Sequence, residues 1–302
     1  MMILTSAVLM VRPASFNYNS QTAENNFFQR RPAMSPAEIQ QAVQQEFDRA
    51  VQQLRDAGIE VVVVDDTAEP PKPDAVYPNN WFCTMPGKSI QVFPMFAQNR
   101  RPERRPEIVK QLVEITDSGT VDDWSVYESA GVFLEGTGSM VFDHEHHAAY
   151  AVVSERTAPG LFIKFCRTSG YRPYAFHACD EFEQPVYHTN VMMCLGKGFA
   201  VICEEAIEDS DEKTELVTRI RNSGREVIPI TRKQATSFAG NMLQLKNDKE
   251  EPILVMSSTA EKSLGEEVIK KIEKYTKRLV VQVPTIEAVG GGGIRCMMAE
   301  LF

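Results

Sequence analysis

The sequence has no apolar run near the roughly 20 residues that a helix needs to cross a bilayer. It has no paired Cys-x-x-Cys spacing among its six cysteines and no glycine-rich turn between an early strand and helix. Each absence removes a class of protein. Without an apolar span, no membrane partner is expected. Without paired cysteines there is neither a disulfide framework nor a zinc site, so Cys83, Cys166, Cys179, Cys194, Cys203 and Cys296 read as reduced thiols of a cytoplasmic protein. Without an early glycine turn, a doubly wound nucleotide-binding sheet lacks its phosphate cradle; the one glycine run, residues 290–293, comes near the end and opens no helix. Residues 3–11 lack the basic flank and small-residue cleavage site of a secretory signal and read as a strand. Positive charge is also scarce: 32 Lys and Arg against 41 Asp and Glu give a net charge of −9. That balance excludes a general binder of nucleic acid or anionic membrane, which needs a clustered basic surface. The short cluster Arg100, Arg101, Arg104 and Arg105 reads as a solvated loop leading into a helix.

What the chain does contain is a repeat. A strand, a capped helix and a further strand recur about every 54 residues over the 302-residue chain. The clearest helix is predicted over residues 36–57: Ser35 and Glu38 form a capping box, Pro36 suits the first turn and Gly58 the left-handed stop. Ile39, Val43, Phe47, Val51 and Leu54 share one face, and residues 59–64 follow as a buried strand. Further helices are expected from 106 to 115, after 154 to near 170, from 212 to 222 and from 260 to 275. Strands at 171–176, 226–230 and 279–283 follow the last three. Five such units cannot each bury an apolar face alone, which predicts one domain over residues 1–302 with a cyclic α/β arrangement.

Each unit carries a small polar cluster in the same register. From Asn26 to Asn80 is 54 residues, then 55 to Glu135, 53 to His188, 53 to Asn241 and 55 to Cys296. Residues equivalent in a cyclic repeat converge on its axis, so a carboxylate, an imidazole and a thiol are expected in one pocket. Nucleophilic hydrolysis needs that set: a thiol is only partly ionised at neutral pH, a neighbouring histidine raises its thiolate fraction or carries its proton, and a carboxylate orients the imidazole. Cys296, His188 and Glu135 are therefore the catalytic candidates, as against a buried small hydrophobe and a satisfied core histidine. The thiol supplies the nucleophile, so no cofactor is expected. Asp143, His144, Glu145, His146 and His147 superficially suggest a metal, but lying between strands they read as a solvent-exposed turn, and no metal site is predicted.

Leu134-Glu135-Gly136, Tyr187-His188-Thr189-Asn190 and the glycine-rich approach to Cys296 resemble the motifs of the guanidine-modifying superfamily, which includes arginine deiminases, dimethylarginine hydrolases, amidinotransferases and succinylarginine dihydrolase. Met10-Val11-Arg12-Pro13, the segment from Gln21 to Phe27, and Tyr77-Pro78-Asn79-Asn80-Trp81-Phe82 bring it nearest to the citrulline-utilisation hydrolases, or citrulline ureidases. The resemblance covers essentially the whole chain. It implies a five-bladed α/β propeller, the pentein fold, with Cys296 as nucleophile and His188 and Glu135 as its histidine and acidic residue. Where members that bind a guanidinium carry aspartates, this chain has Asn190 and Asn79-Asn80. A guanidinium enclosed without carboxylates is a desolvated, unpaired cation. A ureido group is neutral and exchanges donor and acceptor bonds with asparagine. The pattern favours citrulline over arginine, with Asn79, Asn80, Asn190, Asn241, Asn26, Arg12 and Arg295 as substrate-binding candidates. An enzyme acting on a guanidino substrate, as a deiminase, dihydrolase or dimethylarginine hydrolase, is the alternative, and a non-catalytic amino-acid-binding pentein a further one. The expected partner is a small ureido or guanidino amino acid. Self-association into a homodimer is left open.

Overall fold

Five three-stranded sheets carry the chain, each built to one plan. The computed structural model describes residues 3–180 and 182–302. In four of the sheets an antiparallel hairpin is followed by a helix that crosses over to a third strand, parallel to the second. These are β3 (Phe82–Met85), β4 (Ser89–Val92) and β5 (Thr120–Asp123); β6 (Val141–Asp143), β7 (Ala148–Val152) and β8 (Arg172–Phe176); β9 (Met193–Gly196), β10 (Phe199–Ile202) and β11 (Glu226–Pro229); and β12 (Leu243–Lys246), β13 (Pro252–Ser257) and β14 (Lys277–Val281). The remaining sheet joins the two ends of the chain. β15 (Ala299–Leu301) pairs antiparallel with β1 (Ala7–Arg12), which pairs parallel with β2 (Glu60–Asp65). That pairing closes the ring. β15 lies against β3, β6 against β9 and β9 against β12, so β3, β6, β9, β12 and, in the closing sheet, β15 are the inner strands of a five-bladed propeller.

The crossover helices behave as their sequences dictate. The helix Pro36–Asp56 has the predicted capping box, and Ile39, Val43, Phe47, Val51 and Leu54 are all buried on one face. Each such side chain contributes about 1.5–3 kcal/mol by leaving water. Gly58 follows at φ 82°, a left-handed stop that only glycine adopts without strain. The helices Pro106–Thr116, Pro159–Thr168, Ser210–Asn222 and Ser258–Glu273 fill the other four crossovers. The last is broken at Gly265 (φ 73°, ψ 164°) rather than continuous, because glycine there leaves the helical region altogether.

Three expectations are corrected. β2 is half-buried, with Glu60 and Asp65 exposed and Val62 and Val63 partly so, because it is the outer edge strand of its sheet. The basic cluster is not a solvated loop: Arg100 is buried against Glu103, and Arg104 makes a two-pronged pair with Glu128. Among the histidines, His146 and His147 sit on a hairpin turn, but His144 is buried, its Nδ1 2.6 Å from the Tyr171 hydroxyl and its ring against Phe302. His146 turns instead to Asp143, so the three rings do not converge.

Candidate active site

The predicted clusters occupy one structural position. Short turns at Pro78–Asn80, Gly136–Ser139, Thr189–Val191 and Ile294–Met297 run directly into β3, β6, β9 and β15, and Asn241 stands just before β12. Each delivers its polar residue to the axis, where neighbours from different sheets bond. Asn79 Nδ2 donates to Thr137 Oγ1, His188 to Glu135, Thr189 Oγ1 to the Ser139 carbonyl, and Asn241 Nδ2 to the Asn190 carbonyl. Asn26 is the exception to the repeat. It lies in the long loop between β1 and the first helix and donates to the carbonyls of Gly290 and Gly291. Five sheets have only five axial positions, and Cys296 takes the one in the sheet that closes the ring.

Glu135 is fully buried between three donors: Phe96 N at 2.9 Å, His188 Nε2 at 2.8 Å and the Arg156 guanidinium at 3.6 Å. Burial alone would push its carboxyl up; Arg156, the His188 bond and Arg100 outweigh that and hold it at about 2. For His188, burial is the largest influence and lowers its pKa to about 4, with Arg156 and Arg100 offsetting much of the pull from Glu135. The carboxylate is thus charged and the imidazole neutral. Since a carboxylate only accepts, Nε2 carries the proton and Nδ1 keeps a lone pair for the reaction.

Cys296 does not bond to His188. Its Sγ receives the side-chain amides of Asn241 at 3.3 Å and Asn190 at 3.4 Å. Burial pushes the thiol up, and these two donors with Arg295 pull it part of the way back. Of the two roles expected for the histidine, this geometry therefore suits carrying the proton rather than holding a preformed thiolate by a direct bond. Glu135 draws Nε2 of His188 away, and the asparagines occupy the sulfur. What exists is a neutral thiol with two donors aimed at the charge it develops, beside a neutral base. Such donors stabilise a charged sulfur by roughly 1.5–3 kcal/mol each.

Cys296 and His188 face a tight pocket, about 10 Å3, walled by Asn26, Tyr77, Tyr187 and residues 290–292. Glycine is required in that wall. A Cβ on Gly290 would stand 2.2 Å from the Tyr77 hydroxyl, which itself bonds to the Gly292 carbonyl. Gly138 plays the same part opposite: a Cβ there would lie 2.4 Å from Asn80 Nδ2 and 2.7 Å from the His188 ring. Gly138→Ala is accordingly expected to lower kcat/KM at least about tenfold by displacing two site residues at once. Steady-state kinetics alongside thermal melting checks this; a fall in melting temperature with unchanged kinetics would contradict it.

Three residues of the pocket were not found from the sequence. Asp74 is buried, with Oδ2 taking bonds from Asn19 and Thr22 and Oδ1 left without a partner. Arg100 donates to the Asn80 side-chain oxygen at 2.8 Å, and Arg156 stacks over Tyr187. A signal for the two arginines existed. Arg100 follows Asn80 by 20 residues and Arg156 follows Glu135 by 21, a second register of the same repeat. Asp74 had none. Two candidates lie elsewhere. Arg12 makes a two-pronged pair with Asp48 at the far end of β1, and the Arg295 side chain turns along β15 to the Met298 carbonyl and Glu300. Asn79 stands behind Asn80 and accepts from it.

The free-enzyme base sets an acid limit. A histidine lowered to about 4 stays neutral as pH falls through 6.5 and is lost as a base only near 4. The acid limb of kcat/KM, which reports the free enzyme, is expected near pH 4 in a pH–rate profile; a midpoint near 6.5 would contradict it.

The ring of repeated sheets with an axial Cys, His and Glu is the pentein architecture of the guanidine-modifying superfamily. Within it, the family model described as "N,N dimethylarginine dimethylhydrolase, eukaryotic" matches residues 12–302, and the chain belongs to that family. Solved structures agree on the fold. ArgZ, an arginine dihydrolase from the ornithine–ammonia cycle in cyanobacteria, superposes with a TM-score of 0.75 at 17% identity, over 98% of this chain and 40% of that one. The chain thus spans well under half the length of that enzyme. The N-terminal domain of ArgZ alone, a cysteine-to-serine variant bound to substrate, matches at the same TM-score and identity over 98% of this chain and 97% of that one. A dimethylarginine dimethylaminohydrolase, a histidine-to-glycine variant in an adduct with S-methyl-L-thiocitrulline, matches with a TM-score of 0.67 at 14% identity, over 99% of this chain and 100% of that one. No curated protein matched the sequence.

Proposed function

We propose that the protein is a cysteine hydrolase of a ureido amino acid, with citrulline as substrate and ornithine, carbon dioxide and ammonia as products. The observation that carries this is the reacting end of the pocket. The amides of Asn190 and Asn241 bond the Cys296 sulfur and Asn80 lines the same pocket, while the nearby carboxylate, Glu135, is already held by His188, Phe96 N and Arg156. With Asp74 taken by the head group, a guanidinium would find no further uncommitted anion; a ureido oxygen and its N–H groups find amides. The other end suits an amino-acid head group. The unpartnered Asp74 oxygen takes the α-ammonium, and Arg100 and Arg156 take the α-carboxylate.

In this reading Sγ adds to the ureido carbon and its proton passes through His188 Nδ1 to the departing ammonia, leaving a thiocarbamate on Cys296. Water then releases a carbamate, which falls apart to ornithine and carbon dioxide. Glu135 steadies the imidazolium that forms in passing. The names of the family and of the similar structures favour a second reading, in which the substrate carries a guanidino group, as in an arginine dihydrolase or dimethylarginine hydrolase. Purified protein with citrulline should yield ornithine and ammonia in equal amounts. Two equivalents of ammonia per ornithine from arginine, with citrulline inert, would favour the second reading.

A further inference from the structure

Behind Asn190 lies a second, partly open cavity of about 40 Å3, walled largely by the inner strands. Its wall includes Leu4, His144, Asn190, Leu243, Gln244 and Arg295. Asn190 and Arg295 also border the thiol: the Asn190 amide donates to Sγ, and Arg295 precedes Cys296 in the chain. Asn190 thus stands between the thiol and this cavity, bonded to the one and lining the other.

Two buried polar atoms on this wall have no hydrogen-bond partner, Asn190 Oδ1 and Gln244 Nε2. Both residues are 2% exposed. An orphaned buried polar group costs about 1–3 kcal/mol, so the pair is a built demand for a small molecule that both donates and accepts. Water and ammonia do so, and a cavity this size holds one or two molecules of that size.

An amino acid seated between Asp74 and the thiol occupies the pocket behind Tyr77, Tyr187 and the glycine run and leaves the cavity behind Asn190 free. The nitrogen that leaves is released at the sulfur, where Asn190, bonded to Sγ through its amide, also offers an unoccupied acceptor in Oδ1.

We propose that this axial cavity is the exit for the leaving ammonia, so that the active site has two openings: one for the amino acid and one for the small product. The inference rests on the covalent thiocarbamate of the proposed function. It also sets a limit on the leaving group. Ammonia can meet both orphaned atoms, Asn190 Oδ1 and Gln244 Nε2, whereas a dialkylamine sets two methyl groups against them, so substrates with an unsubstituted terminal nitrogen turn over in preference to their N,N-dimethyl analogues.

The thiocarbamate links the cavity to an exchange reaction. Ammonia entering by the same route attacks the thiocarbamate carbon, reforms the ureido group and expels the thiol, which regains a proton. Turnover of citrulline in 15N-labelled ammonium should therefore place label in the remaining citrulline. Leu4→Trp plugs the cavity from a half-exposed position, and Gln244→Met removes the orphaned donor; neither residue touches the substrate pocket. Both variants are expected to lower the ratio of label exchange to ornithine formation at least about fivefold. Exchange undiminished in both, or no exchange in a wild type that makes ornithine, would overturn the proposal. A wild type that makes no ornithine from citrulline would instead be a failure of the substrate assignment, and the same exchange is then read with arginine, whose amidino intermediate returns labelled arginine.

Discussion

Cys296→Ala is expected to remove turnover, by about 10^4-fold or more on the scale seen when a covalent nucleophile is deleted, while leaving the amino acid bound. The two effects separate because the structure separates them. The thiol is held by Asn190 and Asn241, whereas Asp74, Arg100 and Arg156 line the pocket and make no bond to sulfur. The variant should therefore still show a citrulline-dependent rise in melting temperature. No other cysteine substitutes for it. Cys83, Cys166, Cys194 and Cys203 are buried among apolar side chains, which raises their thiols, and Cys179 lies beyond the pocket among Phe27, Phe28 and Pro185. Stopped assays for ornithine with a melting curve on the same sample check both halves. Turnover within tenfold of wild type would place the nucleophile elsewhere.

The second large effect concerns two asparagines that the sequence treats alike and the structure does not. Asn190 touches sulfur. Asn190→Asp replaces a donor by a negative charge against a thiol that must become negative. It should slow citrulline and arginine together by about 100-fold, the scale of a charge-assisted hydrogen bond lost. Asn80 does not touch sulfur. Its oxygen accepts from Arg100, and its amide lies beside the His188 ring across Gly138. Asn80→Asp keeps the Arg100 bond and adds a carboxylate near the reacting end, so it should lower kcat/KM for citrulline about tenfold and raise it for arginine by a similar factor, about 1.4 kcal/mol each way. Measured for both substrates, the pair of variants distinguishes a role at the sulfur from a role in substrate charge. Equal behaviour of the two variants would contradict the assignment.

Much of this was legible before any coordinates. The 53-to-55-residue spacing of Asn80, Glu135, His188, Asn241 and Cys296 is a direct image of five equivalent turns feeding five inner strands, and the helix faces follow from periodicity alone. Direction within the site was not legible. Spacing brings Cys296 and His188 to one axis but cannot say that His188 faces Glu135 and that two amides face the sulfur, because that depends on which rotamers the neighbouring sheets leave open. Burial of charge was the other blind spot. Arg100 sits in a run of four arginines that looks solvated; only the fold shows Glu103, Asn80 and the Tyr77 carbonyl closing around it. Asn26 keeps the period of the repeat while belonging to a loop outside it, and that loop still brings it to the wall of the pocket.

The claim that the pocket is built for a neutral ureido group is tested most directly by kcat/KM of the wild-type protein for citrulline, arginine and N,N-dimethylarginine under one set of conditions. The account predicts citrulline well ahead of both cations, by at least about tenfold, because Asn80, Asn190 and Asn241 offer no charge to pair with a guanidinium. A preference for arginine or its dimethyl derivative would contradict it.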